Sequence, residues 1–318
     1  MSSEQNNRAG PQNLPDVEPA PSPGGSVNWV GLLNLVVVYI VWGSTYLAIR
    51  VAVRQGAGFP PFTLGAFRVT TAGIILLLWG AIAGKRIKLI RGEILTLGLL
   101  GLLLWVGGNG LVNWAEQRAD SGLASLIIAA CPIWVALIEA IVDRKLPSLR
   151  LVLALLLGFI GIGVLSVPTL MASDSADLLS VLALLGAGLS WSVGMVLQSR
   201  RPVALSAQVS SGYQQLFGGI GFILLVTFFG EPLPSPNPQA WAAFGYLVVF
   251  GSLLAFTAFV QALRLLPAKI VITYSYVNPV IAVFLGWVIL GESITIWTIA
   301  GAFLVLLGVT GVFRERYA

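Results

Sequence analysis

From residue 28 to about residue 313 the chain is a succession of long apolar runs, broken by short connections carrying Pro, Gly or charge. A bilayer core of about 30 Å is crossed by about 20 helical residues, and these runs have that length. Ten spans are predicted: 28–49, 61–83, 94–114, 122–142, 149–168, 177–198, 207–229, 240–263, 270–290 and 294–313. Residues 1–27 are polar and hold Pro11, Pro15, Pro19, Pro21 and Pro23, a composition that buries no core and reads as a disordered tail.

The pattern repeats. Pro132 sits inside the fourth run and Pro279 inside the ninth; Gly161 and Gly308 stand in corresponding places, as do Gly65-Ala-Phe-Arg68 and Gly212-Tyr-Gln-Gln215. The expected organisation is therefore two five-helix units, 28–168 and 177–313. Five is odd, so the second unit runs inverted relative to the first. Inverted repeats place substrate near the bilayer midplane, where the halves meet. A proline within a spanning helix frees a backbone carbonyl, tolerated where neighbours or water satisfy it, so Pro132 and Pro279 are candidate hinges.

Composition narrows the class. The 318 residues are 57% hydrophobic and 10% charged, far from a soluble mixture. The net charge of +5 does not imply nucleic acid, because the basic residues flank spans and set topology. The tail and even-numbered connections, with the end of the chain, hold Arg8, Lys85, Arg86, Lys88, Arg91, Arg144, Lys145, Arg150, Arg200, Arg201, Arg264, Lys269, Arg314 and Arg316. The odd-numbered connections hold Arg50, Arg54 and Arg118. By the positive-inside rule both termini are cytoplasmic.

There is no histidine and one cysteine, Cys131, so the commonest metal ligand, the usual general base and any internal disulfide are missing. No cofactor or metal site is expected. No G-x-x-x-x-G-K-[ST] phosphate loop is present, which disfavours ATP-driven transport within the chain.

Polar and aromatic residues inside spans are the candidates for function. In the third run Gly101, Trp105, Asn109 and Asn113 follow at four-residue steps and share a face. Trp42 and Tyr46 share a face in the first run, and Trp191 lies well inside the sixth. Tyr213 and Gln215 belong to a polar group in the seventh, and Tyr274 and Asn278 precede Pro279 in the ninth. These ten residues are the candidate substrate contacts, with packing hydrogen bonds or interfacial anchoring as the other reading. Arg68 is open between meeting a substrate carboxylate, snorkelling and pairing, and Glu139 between a structural ion pair and a proton relay.

Trp42-Gly43-Ser44-Thr45-Tyr46, the run from Ala119-Asp-Ser-Gly-Leu-Ala-Ser-Leu to Pro132, Leu290-Gly-Glu292-Ser and the in-span Arg68 resemble the EamA family of the drug/metabolite transporter superfamily. The first half departs from the family's L-G-E motif, having Val142-Asp-Arg-Lys145 instead. The resemblance implies an all-α, ten-helix bacterial inner-membrane exporter of amino acids or other small metabolites, of the YddG kind, with the lipid bilayer and a small molecule as partners. No obligate protein partner is evident. Drug-like quaternary amines or lipids are the alternative substrates, and an intramembrane enzyme is the remote alternative.

Overall fold

The structure, a computed structural model, describes residues 28–119, 121–165, 167, 178–281 and 295–317. The tail, the Leu290-Gly-Glu292 motif and most of the ninth run's second half lie outside the described residues. Every regular element within them is helical.

Helix α1 spans Trp29–Val53, started by Asn28, whose Oδ1 accepts from the Gly31 amide at 2.9 Å. Next come α2 (Pro61–Ile82) and α3 (Arg91–Ala115). The broken fourth run gives α4 (Ser121–Ile128) and α5 (Cys131–Asp143); α6 is Leu149–Leu165. The second half gives α7 (Leu178–Arg200), α8 (Ala207–Phe229) and α9 (Pro238–Leu265). It continues with the short α10 (Ala268–Val271), α11 over 274–281 and α12 (Ile296–Tyr317). Among the described residues eight helical segments are long and apolar enough to cross a membrane, and the segment Leu149–Val164 is apolar but shorter.

Their exposed surface explains the composition. Leu33, Ile40, Leu78, Leu95, Ile160, Leu224 and Phe303 are all exposed, a pattern ruinous in water and ordinary against lipid.

The halves interlock in corresponding pairs: α2 packs along α8, and α6 along α12. Small residues set the distance. A Cβ on Gly73 would lie 2.9 Å from the Gly212 carbonyl oxygen, and one on Gly308 would lie 2.6 Å from the Gly158 Cα. Lipid gives helices no hydrophobic reason to associate, so close backbone approach through small residues supplies the packing.

Both long runs containing a mid-span proline are broken, at different offsets. In the first, Ala129–Ala130 form a turn and Pro132 opens α5 near its N-terminus, where a missing N–H costs nothing. In the second, the turn is at Ile272–Thr273, ahead of α11, and Pro279 lies within α11. Two helices also widen to i→i+5 bonding, α3 over Gly101–Gly110 and α9 over Leu247–Ala255. Such widening is rare and tends to occur at functional positions.

Candidate functional site

α1, α2, α3, α4, α7 and α11 converge on one internal space of about 60 Å³, room for only a few waters. Its walls are aromatic. The Trp42 ring stands edge-on to Trp191 at 5.4 Å and to Tyr274 at 4.9 Å, and Phe259 closes behind at 5.1 Å from Trp42 and 5.6 Å from Trp191. These are the edge-to-face separations favoured by the ring quadrupoles. Trp105 leans on Phe256 at 4.7 Å and lies beneath the Arg68 guanidinium, 5.1 Å from its centroid.

Polar groups sit at fixed points on this wall. Arg68 is buried, with Nε donating to Ser252 Oγ at 2.8 Å and Nη1 donating to Asn109 Oδ1 at 3.1 Å. Gly251 leaves room for the guanidinium, since a Cβ there would lie 2.9 Å from Arg68 Nη2. Trp42 Nε1 donates to the Gly251 carbonyl at 3.3 Å. Asn278, with its amide oriented to satisfy both ends, donates to the carbonyls of Tyr39 at 3.3 Å and Tyr274 at 2.9 Å. Tyr39 Oη and Thr273 Oγ1 are 2.6 Å apart, binding α1 to the break before α11.

Seven of the ten sequence candidates line the space: Trp42, Tyr46, Trp105, Asn109, Trp191, Tyr274 and Asn278. The other three are elsewhere. Asn113 donates through Nδ2 to the Pro61 carbonyl at 3.2 Å, and Gln215 donates through Nε2 to the Ser252 carbonyl at 3.3 Å. Tyr213 is on an outer face, stacked on Phe217 and donating to the Ile87 carbonyl at 2.7 Å. At about 100° per residue, Tyr213 and Gln215, two positions apart, point to nearly opposite sides of α8.

Arg68, Thr45, Ile49, Gly108, Val112, Ile128 and Ala187, none of them among those ten candidates, complete the lining. Most are apolar or small, and such residues carry no signal in a chain this apolar.

Glu116, which the sequence gave no reason to choose, lies just past α3 and is fully buried. Neither carboxyl oxygen has a hydrogen-bond partner among the described residues, while Arg50 Nη1 donates to its backbone carbonyl at 2.6 Å. Burial pushes this carboxyl well above the usual carboxylate range, against the opposing effect of the Arg50 charge.

Glu139 forms none of the ion pairs described. Its neighbour Asp143 instead pairs with Arg200, the two oxygens accepting at 2.6 and 2.7 Å. At that same end Lys269 pairs with Glu315 at 2.7 Å, and Arg86 pairs with Glu93. Among the described residues no cluster of three His, Cys, Asp or Glu stands close enough to hold a metal ion.

An EamA-like transporter family model matches residues 29–167 and again 178–314. The chain belongs to the EamA-like transporter family. It is 32% identical over 265 residues to the uncharacterized inner membrane transporter YedA of Escherichia coli, covering 82% of this chain and 83% of that one. It is 25% identical to the uncharacterized transporter YoaV of Bacillus subtilis over 90% of this chain and 98% of the other. An S-adenosylmethionine/S-adenosylhomocysteine transporter of Chlamydia trachomatis is 26% identical, with 87% of each covered. A solved crystal structure superposes with a TM-score of 0.74 at 21% identity, covering 90% of this chain and 96% of that one, a likeness of fold. The protein is a multi-pass inner-membrane transporter of small molecules, built from two copies of one helical unit.

Proposed function

We propose that this transporter exports small metabolites, amino acids of broad range foremost, by alternating access around the aromatic space. In this reading the ten spans form two inverted five-helix units with both termini in the cytoplasm, and Pro132 and Pro279 loosen the helices that move. The observation that carries it is the lining itself. Rings of Trp42, Trp105, Trp191 and Tyr274, from elements of both halves, enclose a void set with the fixed polar groups of Arg68, Asn109 and Asn278. Apolar walls with a few placed polar groups accept varied side chains while orienting a shared head group.

With room for only a few waters the void is too small for the larger amino acids, so their transport requires the Trp42, Trp191 and Phe259 rings to part. They belong to α1, α7 and α9, so separating them is relative motion of the two halves, the rocking motion of inverted-repeat carriers.

A second reading has quaternary amines or lipids as cargo, favoured by the same rings, whose faces attract cations. The relative named for S-adenosylmethionine joins the two readings, since that molecule is both a sulfonium cation and an α-amino acid. The deciding experiment is efflux from proteoliposomes preloaded with radiolabelled amino acids, comparing wild type with Trp191→Ala. Counterflow of several amino acids that falls at least tenfold in the variant supports the proposal. Movement of a quaternary amine or lipid, and no amino acid, keeps the transporter and replaces its cargo. No movement under any gradient defeats it.

A further inference from the structure

Arg68 is a full positive charge about two turns into a spanning helix, buried, and without a carboxylate partner among the described residues. Its hydrogen-bond acceptors, Ser252 Oγ and Asn109 Oδ1, are both neutral. A guanidinium carries five N–H donors, and these two contacts use one on Nε and one on Nη1; Nη2 makes no hydrogen bond among the described residues.

The neighbours deepen the imbalance. Trp105, which lines the same void, has a buried Nε1 with no acceptor among the described residues. The wall therefore offers a surplus of donors around an uncompensated cation. An isolated charge in a low-dielectric interior is costly, and a buried donor left unmade costs more than a made bond gains. Two such donor groups, on Arg68 and Trp105, are complementary to an anion.

We propose that Arg68 is the specificity-determining residue of this cavity, binding the carboxylate of its cargo, with the indole N–H group of Trp105 as an auxiliary donor. The transported class is thus organic acids and zwitterions, and simple quaternary amines are excluded. This rests on the exporter reading above and narrows it. Ser252 and Asn109 fix the guanidinium from α9 and α3 and Trp105 stacks beneath it, leaving its uncommitted N–H groups for a carboxylate. An α-ammonium group, where the cargo has one, is accommodated by ring faces, because no carboxylate lines the void among the described residues.

The test is competition in proteoliposomes loaded with labelled phenylalanine, using unlabelled phenylalanine, 3-phenylpropanoate, phenylalaninamide and phenethylamine. In wild type the two acids compete and the amide and amine compete at least about tenfold more weakly, the scale of one charge-assisted hydrogen bond. Arg68→Gln brings the acid-to-amide ratio close to one, and Arg68→Lys, keeping the charge without the fork, recovers part of it. Ser252→Ala, which removes only the Nε acceptor, lowers acid affinity and leaves amide affinity unchanged. This holds the inference to account even where the Arg68 variants do not fold.

Equal competition by acid, amide and amine in wild type overturns the role of Arg68 and leaves the exporter standing. So does an unchanged acid-to-amide ratio in folded Arg68→Gln. If wild type moves none of the four compounds, the exporter reading falls and this inference falls with it.

Discussion

Two buried ionisable side chains show how position decides the role of a charge. Arg68 is satisfied in part by neutral acceptors on α3 and α9, and its remaining donors belong to the void. Glu116 has no hydrogen-bond partner for its carboxyl among the described residues. Its folded-state affinity for a proton is raised, so the folded protein binds more protons than the unfolded chain above the ordinary glutamate range. Stability is therefore full below that range and falls as pH rises above it, until the folded carboxyl itself ionises. Glu116→Gln, of the same shape without the ionisation, is expected to raise the melting temperature of detergent-solubilised protein by a few degrees at pH 7.5 and to leave it unchanged at pH 4. An equal shift at both pH values would show that the group is already charged at no cost. At the cavity, Trp191→Phe keeps an aromatic wall and is expected to retain more efflux than Trp191→Ala, read by counterflow at matched protein content.

At the scale of elements, spacing foretold the stripe of α3 but not its pitch. Gly101, Trp105, Asn109 and Asn113 share a face on a regular helix, yet i→i+5 bonding over Gly101–Gly110 places more residues in each turn. Trp105 and Asn109 remain on the cavity while Asn113 turns to the Pro61 carbonyl. Helix pairing through glycine makes a sharper prediction. A methyl at Gly308 meets Gly158 backbone at 2.6 Å, and backbone cannot step aside as a side chain can. Gly308→Ala is expected to lose about 1–3 kcal/mol of stability, the usual cost of overpacking. Gly245→Ala, with nothing within 4 Å, is expected to be neutral or to gain up to about 1 kcal/mol of helix propensity. Thermal melting of the two variants side by side separates crowding from propensity.

For the whole molecule, two matches to one family model, at 29–167 and 178–314, agree with the duplication read from Pro132 and Pro279 and from Gly161 and Gly308. The topology proposed for it is checked by labelling. With Cys131→Ala as background, Leu233→Cys is expected to react with a membrane-impermeant maleimide on intact cells. Gln5→Cys is expected to react only after permeabilisation. Reaction of Gln5→Cys on intact cells would reverse the orientation.

Hydrophobic run length by itself determined that this chain is a helical membrane protein, because in hydrocarbon only a helix or a closed barrel satisfies every backbone group, and these runs have helical length. The internal repeat and most of the cavity's aromatic and polar residues were also legible, since Trp, Tyr, Asn and Arg stand out within apolar spans. The structure alone decided which of those residues face one another. Tyr213 points outward, Gln215 packs against Ser252, and the end of α3 buries Glu116 with no hydrogen-bond partner for its carboxyl among the described residues. Facing is set by the rotation and pitch of each helix, and so by glycine contacts between elements far apart in sequence. Periodicity along one helix carries the identity of a face but not the identity of its neighbour.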